Sequence, residues 1–162
     1  MRGGVTSVEE GSLRNRVASA FKFYASTHAD QHIRCDSGNV ALRFLIVDDQ
    51  SSFCEAAREL LEGQGLTVVG CASSASEAVR SVRELRPEVA LVDIDLGPDS
   101  GFDLARRLAD DVDGSGPRLI LISTHDEREF VKLIESSPAV GFLAKTELSA
   151  ERIYRLLEQA GG

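Results

Sequence analysis

The chain has 162 residues, 43% of them hydrophobic and 27% charged, with a formal net charge of −8. That length suits one ordinary domain, which buries roughly 70% of its extended-chain surface without help from disulfides. The acidic balance argues against a nucleic-acid surface, because phosphate contacts need clustered Lys and Arg. No apolar run approaches the roughly 18 residues that span a bilayer.

The first segment, residues 1–41, lacks strand signals and is read as an N-terminal extension, mobile or partly helical. Residues 1–42 carry five basic and four acidic side chains, against thirteen and twenty-two in the remainder. One piece is helix-like, with Leu13, Val17, Ala20, Phe21 and Tyr24 on one face. The run 17-VASAFKFYA-25 is broken by Lys22 and is short for a signal-peptide core. His28 and His32 stand far from any Cys/His ligand pattern. Three cysteines form no disulfide framework and point to a reduced, cytoplasmic protein. Cys54 and Cys71 read as packed or surface thiols.

From Arg43 onward two periods alternate. Apolar runs rich in β-branched residues recur at 43-RFLIVD-48, 66-LTVVGCA-72, 89-VALVD-93, 118-RLILIS-123 and 140-VGFLA-144. Helical patterns lie between them. In 51-SSFCEAARELLEG-63 the residues Phe53, Ala56, Ala57, Leu60 and Leu61 share a face, and Ser52 with Glu55 resembles a capping box. Ser74 and Glu77 repeat that signature before 75-ASEAVRSVRELR-86, which Pro87 stops. A third helix runs from about Phe102 to Asp111, with Asp99 and Asp103 as its cap and surface. A weaker fourth covers 127-EREFVKLIE-135. The last, 149-SAERIYRLLEQA-160, aligns Ile153, Leu156, Leu157 and Ala160.

Five βα units predict an α/β fold, a doubly wound parallel sheet with helices on both faces over residues 42–160. The strands show no polar alternation, as expected for strands buried on both sides. The order chosen is 2-1-3-4-5. Ligands then bind at the carboxyl ends of the strands, where the winding reverses between strands 1 and 3. Strand 1 ends in Asp48-Asp49, strand 3 in Asp93, strand 4 in Ser123-Thr124 and strand 5 in Lys145. Carboxylates at close quarters raise one another's pKa unless a cation intervenes. An all-oxygen anionic pocket suits a hard dication, Mg²⁺ foremost. Metal, ammonium and hydroxyl around one carboxylate are what phosphoryl transfer requires, with the carboxylate as nucleophile.

The residues 45-LIVDDQ-50, 91-LVDIDLG-97 with Gly101, 121-LISTHD-126 and 141-GFLAK-145 resemble the receiver (CheY-like) domain of bacterial two-component response regulators. The gaps are 44 residues from Asp49 to Asp93, 30 to Ser123 and 22 to Lys145. The resemblance implies a flavodoxin-like fold, and no output domain is expected after the fifth helix. It implies that Asp93 accepts a phosphoryl group from a histidine kinase. Asp48, Asp49, Asp93 and the backbone carbonyl of Asp95 would hold Mg²⁺. Lys145, Ser123 and the backbone N–H of Thr124 would take the phosphoryl oxygens, and Ser123 with Phe142 would form the switch. The implied output is a changed surface over about 127–160 that meets an unidentified protein target. A phosphorylation-dependent homodimer belongs to the same picture, and enzymatic turnover beyond self-phosphorylation and self-dephosphorylation does not.

Some positions depart from the family pattern. Phe142 lacks the hydroxyl of the commoner tyrosine, and Thr146 replaces a frequent proline, which disfavours a cis Lys145–Thr146 bond. Asp95 and His125 occupy variable positions beside the acceptor. Two alternatives stand beside the leading one. A haloacid-dehalogenase-type phosphatase would use 93-DID-95 (Asp93 and Asp95), but its motif belongs on a first strand with the acidic pair downstream. A receiver that is never phosphorylated would serve only for docking.

Overall fold

The computed structural model describes residues 41–110 and 116–161. The helix-like face of the extension, with Cys35, His28 and His32, lies outside the described residues. Strand β1 (Arg43–Val47) leads through α1 (Ser51–Gly63) to β2 (Thr67–Ala72), α2 (Ala75–Leu85) and β3 (Val89–Asp93). Then come α3 (Gly101–Asp110), β4 (Arg118–Ser123), α4 (Val131–Glu135), β5 (Gly141–Ala144) and α5 (Ala150–Gly161). All pairings in the five-stranded sheet are parallel, in the order β2-β1-β3-β4-β5. The predicted order 2-1-3-4-5 is the one observed.

Strand alternation builds a core on each face. Phe44, Ile46, Leu91, Ile120 and Ile122 pack with α1 and α5. Leu45, Val47, Ala90, Val92, Leu119 and Leu121 pack with α2 and α3. All five residues of β3 are buried, which explains its continuous apolar reading. The charged end of that strand is therefore forced into a dry setting.

The local readings fare unevenly. No side-chain hydrogen bond caps α1, and Gln50 holds the cap position, so the predicted Ser52–Glu55 box does not form. The first turn is instead tied by Asp48, whose Oδ1 accepts from the Gln50 N–H at 2.8 Å. Ala56 and Leu60 face solvent, and Cys54 takes the core position with Ala57 and Leu61. The second box forms, with Ser74 Oγ accepting from the Glu77 N–H at 3.2 Å. Its return bond reaches one residue further out, from the Ser73 N–H to Glu77 Oε1 at 2.9 Å. Helix α2 ends one residue early, at Arg86 in the left-handed region (φ 50), just before Pro87.

The cap of α3 is Ser100, not Asp99: its Oγ accepts from the Phe102 N–H at 3.1 Å. Asp99 pairs instead with Leu96 in a two-residue antiparallel ladder, Asp95–Leu96 against Asp99–Ser100. Gly97 turns this ladder with φ 66, a conformation that L side chains rarely adopt. The fourth helix shrinks to a 3₁₀ turn, Glu127–Glu129, followed by the five residues of α4. In α5, Tyr154 is buried while Ala160 is exposed.

Candidate functional site

The carboxyl ends of β1 and β3 are neighbours, because Val47 pairs with Val92. One residue further on, Asp48 and Asp93 therefore meet. Asp48 is 1% exposed and Asp93 is 4% exposed, whereas Asp49 opens to solvent. One carboxylate oxygen from each of the three lies within 4.8 Å of the others.

Lys145 follows β5 directly and reaches across the sheet edge. Its Nζ stands 2.5 Å from Asp48 Oδ2 and 3.2 Å from Asp93 Oδ2. It also lies 4.4 Å from the centre of the Phe53 ring, a cation–π contact from the first turn of α1. The ammonium thus bridges two buried carboxylates, with an aromatic wall beside it. The Lys145–Thr146 peptide is trans, and Lys145 opens a 3₁₀ turn, Lys145–Glu147.

The charges do not balance completely. Burial pushes the Asp93 carboxyl up to about 6, and the Asp48 charge pushes the same way. Lys145 and the Asp95 N–H, which donates to Asp93 Oδ1 at 3.2 Å, offset only part of this. Burial works against the Lys145 ammonium, yet contact with Asp48 and the charge of Asp93 outweigh it and hold its pKa above the usual lysine value. Asp48 Oδ2 is fully buried and receives no hydrogen bond of good geometry. Its close partner is the Lys145 ammonium. Three carboxylates that can each offer a hard oxygen within 4.8 Å of the others fit a small dication.

Gly101 lets α3 start this close to the acceptor. A Cβ there would stand 2.1 Å from the Asp93 carbonyl oxygen. The Gly101 N–H donates to the Ile94 carbonyl at 2.8 Å, which closes the loop after β3.

The remaining predicted residues line the rim. Ser123 is fully buried at the end of β4, one position past the residue that pairs with Asp93. Its Oγ accepts from the His125 N–H at 2.9 Å. Thr124 is exposed beside it. The Asp95 carboxylate turns outward, 3.6 Å from His125 Nε2, and His125 Nδ1 lies 3.5 Å from Glu129. His125 also stands edge-on to Phe130, which leans on Phe102. Phe142 is half-buried on β5, packed on the same side of the sheet as Phe130 and Ile134. Two contributors escaped the sequence reading. Phe53 reads from the sequence as one residue of a helix face, and the Asp95–His125–Glu129 link joins positions that spacing alone does not connect.

Residues 44–158 match the response regulator receiver domain family. A curated relative is protein-glutamate methylesterase/protein-glutamine glutaminase 5 of Myxococcus xanthus. It is 32% identical over 118 residues, covering 71% of this chain and 33% of that protein. The transcriptional regulatory protein LiaR of Bacillus subtilis is 29% identical over 111 residues, covering 68% and 52%. The chain thus spans about a third to a half of the length of such relatives. Among solved structures, the signal receiver domain of a modulated diguanylate cyclase from Desulfovibrio desulfuricans is 34% identical, with a TM-score of 0.62, covering 75% of this chain and 94% of that one. A response regulator from Burkholderia pseudomallei, crystallised with a phosphorylated aspartic acid and a calcium ion, is 26% identical with a TM-score of 0.61, covering 74% and 68%. The comparisons give the haloacid-dehalogenase reading no support.

Proposed function

Since this chain belongs to the receiver domain family of two-component response regulators, we propose that Asp93 accepts a phosphoryl group from a histidine kinase. The observation that carries this is the pairing of two buried carboxylates with one ammonium at adjoining strand ends. Such an arrangement is unfavourable for stability alone, and it holds a nucleophilic oxygen next to a fixed positive charge. An oxygen of Asp93 forms the new O–P bond as the N–P bond of the donor phosphohistidine breaks, giving an acyl phosphate. Lys145 neutralises charge on the phosphoryl oxygens, and the Ser123 hydroxyl and Thr124 N–H donate to them.

Asp48, Asp49, Asp93 and the Asp95 carbonyl are the proposed ligands of Mg²⁺, which when bound supplies further positive charge to those oxygens. The phosphorylated aspartate and calcium ion in the structure of the Burkholderia relative support an aspartate acceptor and a bound dication. In this reading the receiver unit spans 42–160, and its output is altered affinity for a protein partner. Movement of Ser123 and Phe142 biases the surface around α4, β5 and α5. The turnover it carries out is gain and loss of its own phosphoryl group.

The test is incubation with acetyl phosphate and Mg²⁺, read by intact mass. The expected result is one phosphoryl addition, lost in Asp93→Asn and lost on chelation. A native chain that takes up no phosphoryl group under these conditions, or from a histidine kinase, overturns the proposal and leaves the docking reading. Multiple turnover of free phosphate esters would revive the phosphatase.

A further inference from the structure

The phosphoacceptor reading makes no use of the two cysteines within the described residues, yet the fold brings them together. Ile46 of β1 and Cys71 of β2 are register partners, so their side chains leave the same face of the sheet. Cys54 sits in the first turns of α1, over that face, with its Sγ 4.0 Å from the Ile46 carbonyl oxygen. The Cys71 thiol donates to the carbonyl of Cys54 across 3.9 Å. Two cysteines seventeen apart in sequence thus meet between a helix and an edge strand.

We propose that Cys54 and Cys71 form a reversible intramolecular disulfide under peroxide, with Cys71 attacked first and Cys54 resolving it.

The two thiols differ as that sequence needs. Cys71 is partly exposed, and Cys54 is buried. The Cys71 thiol is held below its usual pKa chiefly by a side-chain hydrogen bond with the Cys54 thiol, which burial opposes and the Arg58 guanidinium reinforces. Arg58 lies over the same strand and donates to the Val68 carbonyl at 3.3 Å. The Cys54 thiol is pushed up by that shared hydrogen bond and by burial. Thiolate character therefore falls on the sulfur an oxidant can reach. Hydrogen peroxide transfers one oxygen to the Cys71 sulfur, giving a sulfenic acid and one water. The Cys54 sulfur then attacks the Cys71 sulfur, forming the S–S bond as the S–O bond breaks. The Cys54 proton leaves with the hydroxyl as a second water. Two thiols are oxidised, one peroxide is reduced, and a dithiol reductant reverses the change. β2 is an edge strand, so movement that brings the sulfurs to bonding distance has no further strand beyond it to displace.

The test treats the native full-length chain with low doses of hydrogen peroxide, then alkylates free thiols and maps peptides by mass spectrometry. The expected result is a Cys54–Cys71 peptide pair that disappears on reduction, with Cys35 still alkylated. Cys71→Ser should abolish the pair. Cys54→Ala should leave Cys71 accumulating as sulfenic or sulfinic acid at the same dose. The proposal is overturned if Cys71 of the native chain runs on to sulfinic acid uncrosslinked, if it pairs with Cys35 or a second chain, or if both thiols stay alkylatable.

Discussion

Strand β3, which ends in the acid pocket, and the segment from Glu127 to Glu135 are held in opposite ways. Every residue of β3 is buried, and neighbouring strands flank it on both sides. The segment 127–135 has no buried residue: a 3₁₀ turn and a five-residue helix expose Val131 (39%) and Leu133 (45%) to solvent. Only Phe130 and Ile134 lean on the core. A charged pocket needs the first kind of support, because two buried carboxylates and an ammonium keep their spacing only where the surrounding packing fixes them. A surface that must change its population needs the second, because a few kcal/mol can then move it. The link Asp95–His125–Glu129 crosses from one region to the other.

The largest expected effect tests that contrast directly. Leu121 of β4 is fully buried against the α2–α3 side. Leu121→Ala should lower unfolding free energy by about 2–5 kcal/mol, through lost burial and the cavity left behind. Leu133→Ala should change it by no more than about 0.5 kcal/mol. Urea unfolding of both variants is the measurement. Similar losses would mean that the α4 segment is held as firmly as the sheet, and the contrast would fail.

Next in size is the cost of the pocket itself. In the folded chain Asp93 stays protonated to a pH of about 6, well above an unfolded aspartate. Its contribution to stability is fully present below about pH 4 and is lost as pH rises through about 6. In metal-free buffer Asp93→Asn should therefore gain on the native chain as pH rises from 4 to 7, by roughly 2–3 kcal/mol at most. Added Mg²⁺ should stabilise the native chain and not the variant. Thermal unfolding across that pH range, with and without Mg²⁺, measures both. A pH-independent gap between the two proteins would mean that Asp93 is already ionised at no cost.

How much of this was legible depends on what fixes each feature. The sheet order follows from apolar runs alternating with helical periods, a pattern set by burial and spread over many residues. The acid pocket follows from polar residues at fixed strand ends, so Asp48, Asp49, Asp93 and Lys145 were readable. The rim was not. Phe53 reads as one more residue of a helix face until Lys145 is seen above its ring, and the Cys54–Cys71 approach depends on a register that a bulge between Phe44 and Leu45 resets. The 127–135 helix failed for a related reason. Its periodicity is real, but among the described residues only Phe130 and Ile134 tie it to the core, and only a short turn persists.

Capping residues allow the smallest and cleanest contrast, because the same bond starts a helix packed on the core and a turn with no buried residue. Ser74 caps α2, an eleven-residue helix with four buried side chains. Asp126 caps the 3₁₀ turn, accepting from the Arg128 N–H at 2.9 Å with no buried residue behind it. The Arg128 guanidinium lies on the same carboxylate at 3.2 Å, but that pair is exposed and adds little. A cap stabilises the fold only to the extent that the helix it starts is coupled to the core. Ser74→Ala should therefore cost about 1 kcal/mol, and Asp126→Ala only a few tenths. Ser52→Ala serves as the blank, since that hydroxyl caps nothing, and should be silent in the same urea titration. Equal losses at Ser74 and Asp126 would mean that the 127–135 segment unfolds together with the sheet, with no looser equilibrium of its own for phosphorylation to shift.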